Sequence, residues 1–349
     1  MRIGMVFGNG LIPQGSVTEQ NLLFSKQLGV NDIIIHLPEE ETFPSTFKQG
    51  YWELDEIMHI KKYIESFGLR LAGIENFHPC HWHDILLDGP KKQQQMENLK
   101  RSVVNLGKCG IPMMGYYFSI AGVWGRTYGP FARGNALCDA FTTDQELNLQ
   151  QPIPKGEVWG MTYDKSLLGT GFIDPVSEEE MWSRLEYFLK ELVPVAEQAG
   201  VYLAAHPDDP PLPVLRQTAR LITHPDKYQR LLDIVPSKSN GLEFCQGTLS
   251  YMPNGNIYEA IKKYASQDRI TYIHFRNNVG TLPTYYETFM DDGDWDMIKC
   301  IKLYHENGFD GIIIPDHTPE VASAAPFHVG MAHAIGYMKA AITMVENGY

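Results

Sequence analysis

Residues 311–317 read GIIIPDH, three β-branched apolar residues held between a glycine and a proline. A run this short and this continuously apolar has no polar face to offer to water, which is the pattern of a strand buried on both sides. Strands of that kind belong to parallel sheets, where crossover helices cover both faces. Seven further runs read the same way: RIGMVFG (2–8), NDIIIHL (31–37), LRLAGIEN (69–76), IPMMGYYFS (111–119), VYLAAHP (201–207), NGLEFCQG (240–247) and ITYIHFRN (270–277).

Between these runs the hydrophobic period becomes helical. In LDEIMHIKKYIESFGLRL, the residues Leu54, Ile57, Met58, Ile60, Tyr63 and Ile64 fall near one face, and Gly68 supplies a stop before the next strand. Helices are predicted likewise over 17–29, 91–108, 177–199, 225–234, 256–266, 294–307 and 330–346. Eight such βα units with none left over predict an α/β closed (β/α)8 TIM barrel, with residues 1–349 as a single domain. The competing doubly wound sheet calls for a glycine-rich phosphate turn, and FGNGLIPQG (7–15) fits GxGxxG poorly. One connection is out of scale. The segment from Ile120 to Val176, rich in glycine, proline and aromatic residues, forms a long insertion after the fourth strand (120–176), expected to be an ordered lid or an oligomer contact.

Composition narrows the function. With 44% hydrophobic and 20% charged residues the chain can build a large core. A net charge of -13 repels phosphate backbones and anionic lipid heads, so neither nucleic acid nor a membrane surface is an expected partner. No apolar run approaches the ~20 residues of a bilayer span. The start MRIGMVFGNG lacks the charged and apolar regions of a signal peptide, so a cytoplasmic location is expected. Cys80, Cys109, Cys138, Cys245 and Cys300 are odd in number and irregularly spaced, with no CxxC pair, which argues against a disulfide framework.

In a barrel the carboxyl ends of all strands meet at one rim, and catalytic groups gather there. The predicted strands end in His36, Glu75 with Asn76, Tyr116 with Tyr117, His206, Cys245, His274 with Arg276, and Asp316 with His317. Singly, each has an ordinary reading: a histidine at a strand end is more often a hydrogen-bonded core residue, a buried cysteine a small hydrophobe, an aspartate a turn cap. Four consecutive strands ending in His206, Cys245, His274 and Asp316 weigh the other way, because imidazole, thiolate and carboxylate are the ligands of a divalent transition metal. The set leaves the ion open: a tetrahedral arrangement suits zinc, whereas a carboxylate and imidazoles with free positions suit manganese or iron(II). Arg276, two positions beyond His274, suits bidentate capture of a substrate carboxylate, and Arg126 and Arg133 in the insertion are further candidates. HPDDPP (206–211) makes a rigid turn whose acidic pair includes Asp208, either simple stiffening or a substrate contact.

The segments AAHPDDPPLPVLRQTARLIT, NGLEFCQGTLS, IHFRNN, DDGDWDM and FDGIIIPDHT resemble the mannonate dehydratase family, barrel enzymes related to the xylose isomerase-like group. LAGIENFH, ENLKRSVVNLGKCGIP and VWGRT extend the likeness through the first half. The resemblance implies a hydro-lyase of hexuronate catabolism that turns D-mannonate into 2-keto-3-deoxy-D-gluconate with a divalent metal, Mn2+ first, Fe2+ or Zn2+ as alternatives. It places the metal ligands on His206, Cys245, His274 and Asp316 and an acid/base on His317. The sugar acid is expected against Arg276, Asp208, Glu75, Asn76 and Arg126. After the PDH motif, where the family has a tyrosine, this chain reads APFHVGMAHAIG, so His328 is the expected second proton carrier. Two other readings remain: a metal-dependent sugar isomerase or epimerase on the same barrel, and a catalytically silent sugar-acid binder. The ordered insertion suggests a homo-oligomer, a dimer or larger.

Overall fold

The computed structural model describes residues 1–8 and 15–349; residues 9–14, which hold most of the glycine-rich stretch weighed as a phosphate turn, lie outside the described residues. Eight parallel strands close into a barrel: β1 (Arg2–Gly8), β2 (Asp32–His36), β3 (Arg70–Glu75), β4 (Met113–Tyr116), β5 (Tyr202–Ala205), β6 (Asn240–Cys245), β7 (Ile270–His274) and β8 (Ile312–Ile314). They are hydrogen-bonded in the order β1-β8-β7-β6-β5-β4-β3-β2, so every neighbour in space is a neighbour in sequence. The continuous apolar runs are explained by two cores. Val6, Ile34, Ala72, Met113, Ala204, Tyr272, Ile312 and Ile314 fill the barrel axis. Alternate residues such as Ile33 and Ile35 face outward into a larger core under the helices.

The helical segments fold close to their predicted spans, among them Leu54–Glu65, Lys92–Lys108 and Glu178–Ala199. The last of these starts with a capping box between Ser177 and Glu180, which satisfies the free N–H groups of its first turn. It stops where Gly200 turns left-handed at φ 69°. Three short helices, Pro44–Gln49, Pro79–Leu87 and Gln246–Ser250, are additional to the predicted set. Pro79–Leu87 is buried on nearly every side, so it carries no amphipathic period to read.

The 120–176 insertion contains a hairpin, Thr127–Ala132 with Ala136–Thr142. Its second strand pairs with Thr284–Thr288, which is itself hairpinned to Asn277–Thr281 directly after β7. The four strands form one antiparallel sheet, with Tyr285 opposite Phe141 and Tyr286 opposite Ala140. Because Asn277 follows β7, this sheet stands over the carboxyl ends of the barrel strands. Among the described residues no helix is long and apolar enough to cross a membrane.

Candidate metal and proton-transfer site

Parallel register sets the heights of the rim residues. Cys245 pairs with His274, and His274 with Ile314, two residues before Asp316. One ligand atom from each of His206, Cys245 and His274 lies within 4.8 Å of the others. Asp316 stands beside this trio, its Oδ2 3.3 Å from His274 Nδ1. It adopts φ 58°, and Asn76 at the end of β3 adopts φ 68°, a left-handed conformation that L residues seldom take and that gathers at functional sites.

The electrostatics suit a cation. Burial pushes the Cys245 thiol up, but the Arg276 guanidinium and His206 outweigh it and hold the group well below the usual thiol range. The thiolate is the ligating form. Burial also opposes charge on Asp316, and His274, His317 and Arg276 overcome it, keeping the carboxylate well below its ordinary value. Both ring nitrogens of His274 are buried without an aligned hydrogen-bond partner, although carboxylate oxygens approach them to 3.3 Å. Two imidazoles, a thiolate and a carboxylate gathered this closely are a donor set that fits a divalent metal.

Arg276 is threaded through the same cluster. Its Nη2 is 2.8 Å from Cys245 Sγ, its Nη1 is 2.8 Å from Glu287 Oε1 and 3.3 Å from Asp316 Oδ2, and it also contacts His317 Nε2. His317 in turn has Nδ1 2.5 Å from Glu287 Oε2 and 3.4 Å from Asp139 Oδ2. Burial and Arg276 both favour its neutral ring, yet Glu287 and Asp316 prevail and raise the pKa above the ordinary histidine value. A small cavity of about 80 Å³ opens at this imidazole, lined by Tyr128, Asp139, Glu287, Glu320 and Phe327.

Arg126 comes from the insertion into this space. It pairs with Asp209, lies 3.5 Å from Glu287 Oε1 and sets Nη1 3.4 Å from His317 Nε2. Asp209 accepts further bonds from Tyr251 (2.8 Å) and Thr248 (3.0 Å), and burial, which opposes its charge, is overcome by Arg126 and Arg276.

Several expectations need correction. Asp208 does not face the cluster: its Oδ1 accepts from Arg220 Nε at 2.6 Å, and its Oδ2 from the backbone N–H groups of Leu221 and Ile222 at 2.7 and 2.8 Å. Its lone pairs are spent on its own loop, and the neighbouring Asp209 is the acid turned toward the rim. Glu75 lies beneath His274, where it accepts from the Tyr272 hydroxyl at 3.1 Å, and Asn76 reaches His36 at 3.2 Å. His328 is not brought to His317. Its Nε2 is 3.1 Å from Asn21 Oδ1 and its ring sits edge-on to Phe24, because its turn of the Pro326–Glu346 helix packs on the Glu19–Gln27 helix. Arg133 pairs with Asp291 at the surface, away from the cluster. The sequence reading also missed Asp139, Asp209, Glu243 and the role of Glu287. A signal existed for Glu243, the one charged residue of its strand, on the same face as Cys245 two positions on.

The family model of D-mannonate dehydratase (UxuA) matches residues 20–346. The chain is 34% identical over 282 residues to the mannonate dehydratase of Thermotoga petrophila, covering 76% of this chain and 78% of that one. It is 32% identical over 276 residues to the mannonate dehydratase of Streptococcus uberis, covering 76% and 78%. The crystal structure of mannonate dehydratase from Streptococcus suis serotype 2 superposes with a TM-score of 0.80 at 26% identity, over 100% of this chain and 95% of that one. A xylose isomerase domain protein from Planctomyces limnophilus shares the fold, with a TM-score of 0.62 at 13% identity over 99% of both chains.

Proposed function

Because the chain belongs to the D-mannonate dehydratase (UxuA) family, we propose that it is a metal-dependent hydro-lyase acting on a sugar acid, D-mannonate, to give 2-keto-3-deoxy-D-gluconate. The observation that carries this reading is His317, an imidazole held by Glu287 at 2.5 Å and set 3.3 Å from Asp316 beside the His206, Cys245 and His274 trio.

Dehydration of a 2,3-dihydroxy acid removes the proton on C2 and the hydroxyl on C3. One water leaves, and the resulting enol tautomerises to the 2-keto-3-deoxy acid. His206, Cys245, His274 and Asp316 would hold a divalent ion, Mn2+, which would supply Lewis-acid stabilisation of the charge that develops beside the carboxylate. Glu287 fixes the ring of His317 through Nδ1, and Nε2, which Arg276 contacts, is the nitrogen that would exchange a proton with C2 or with the departing hydroxyl once substrate takes the place of that contact. Arg276, 2% exposed, is occupied by Cys245, Glu287 and Asp316. Arg126, 15% exposed, is the guanidinium better placed to meet the substrate carboxylate. Both arginines, lying under the lid sheet, help to exclude water from the reacting carbons.

Phe172, Tyr128, Phe131 and Leu168 are exposed on the insertion, which supports a homo-oligomer formed through this segment of a cytoplasmic enzyme. The function is tested by incubating the Mn2+-loaded protein with D-mannonate and following the carbonyl of a 2-keto-3-deoxy acid. Absence of that product, or a product isomeric with the substrate, overturns the reading. Light scattering of the purified protein reads the oligomer.

A further inference from the structure

Beneath the rim, two glutamates that the reaction above does not use meet the inner side of His274. Glu243 is wholly buried, and neither of its carboxylate oxygens has an aligned hydrogen-bond partner, although the Tyr272 hydroxyl lies close by. Its Oε1 is 3.4 Å from His274 Nε2, and Glu75 Oε2 is 3.3 Å from the same nitrogen. One ligand atom from each of the three residues lies within 4.8 Å of the others. Gly115 on β4 makes the room: a Cβ there would collide first with the Tyr272 hydroxyl oxygen and stand 2.9 Å from both Glu243 Oε2 and Glu75 Cγ.

Two carboxylates side by side in a low-dielectric interior repel each other, so the pair is held by a proton or by a cation. The neighbouring imidazoles face the pair without an aligned hydrogen bond: His274 Nε2 has none, and His206 Nε2 and His36 Nε2 stand 3.9 and 3.7 Å from Glu243 and Glu75. Separations of 3.3–3.4 Å between donors that do not bond each other match the edge of a coordination shell whose bonds are about 2.0–2.2 Å long.

We propose that Glu75, Glu243 and His274 Nε2 form an inner site for a second divalent cation, one strand layer below the rim. His274 stands between the two sets, with Nδ1 toward Asp316 and Nε2 toward the glutamates. Occupation of both sides expels the ring proton. The carboxylate-rich donor set suits Mn2+ or Mg2+, in contrast to the thiolate-bearing set above it. The proposal goes beyond the dehydration and does not require it.

The test is a metal count. Chelated protein is reloaded with Mn2+, desalted and analysed for ions per chain. Glu243→Gln is expected to lower the wild-type ratio from about two to about one, with the electron paramagnetic resonance signature of coupled ions lost. An unchanged ratio in Glu243→Gln overturns the inner site and leaves the glutamates as holders of the His274 ring. Cys245→Ala reads the rim site separately, since it lowers the ratio only if that thiolate ligates. Should Glu243→Gln fail to fold, anomalous scattering from Mn2+ in wild-type crystals decides: a peak among Glu75, Glu243 and His274 supports the site, and its absence overturns it.

Discussion

Glu287 Oε2 lies 2.5 Å from His317 Nδ1, and the two residues reach each other from different parts of the fold. His317 follows β8, while Glu287 sits in the Thr284–Thr288 strand that is hydrogen-bonded to the hairpin of the insertion. The orientation of the imidazole is thus tied to the sheet that covers the barrel mouth.

Glu287→Gln keeps the shape of that contact and removes its charge. We expect kcat to fall about 10- to 100-fold with KM little changed, because the ring loses its orienting acceptor, not a substrate contact. Glu287→Asp should recover part of the loss. Steady-state kinetics on D-mannonate provide the check, and equal activity in the Gln variant and wild type would remove Glu287 from the machinery.

His317→Asn removes the proton carrier and leaves the metal ligands in place. Turnover should drop by about 10²–10⁴-fold while the ion content stays at the wild-type value. Elemental analysis alongside the rate measurement separates a lost proton from a lost metal.

Asp208→Ala should act on stability. It strips the partner from Arg220, which is buried and bonded to Asp208 at 2.6 Å, and it frees the N–H groups of Leu221 and Ile222. Removing one member of a buried ion pair costs about 3–5 kcal/mol, read as a shift in urea denaturation. A shift below about 1 kcal/mol, the range of a surface pair, would contradict the assignment.

His81 gives a pH dependence remote from the rim. Burial, aided by His78 and His83, pushes its pKa from 6.5 down to about 3, and neither ring nitrogen has a hydrogen-bond partner. The folded-state value is depressed, so below pH 6.5 the unfolded chain takes up a proton that the folded chain refuses. Its contribution is intact above that pH and is lost as the pH falls toward 3. By pH 4 the loss is about 3 kcal/mol. Across this window wild type should lose stability on acidification relative to His81→Leu, and curves that stay parallel would count against the effect.

The barrel was legible because its signal is local. A strand buried on both faces must be apolar throughout, so runs such as IIIH and GIIIP identify themselves without their neighbours. The strand-end positions of His206, Cys245, His274 and Asp316 follow from the same fact, since all parallel strands deliver their last residues to one rim. The wrong or missing residues share another cause. Asp208 and Asp209 are adjacent in the chain and face different surroundings, which no periodicity announces inside an irregular turn. His328 was read from its place after a motif, while its direction depends on how the last helix lies against the first.

Sequence alone determined the layered architecture, the rim and the chemical types presented there, because strand burial and residue alternation are properties of short stretches of chain. Only the tertiary structure decided that Glu287 holds His317, that Arg126 enters from the insertion, and that Glu75 and Glu243 meet under His274. Those contacts join segments far apart in the chain, and their geometry is set by loop paths, sheet pairing and the room left by Gly115, none of which a linear pattern encodes.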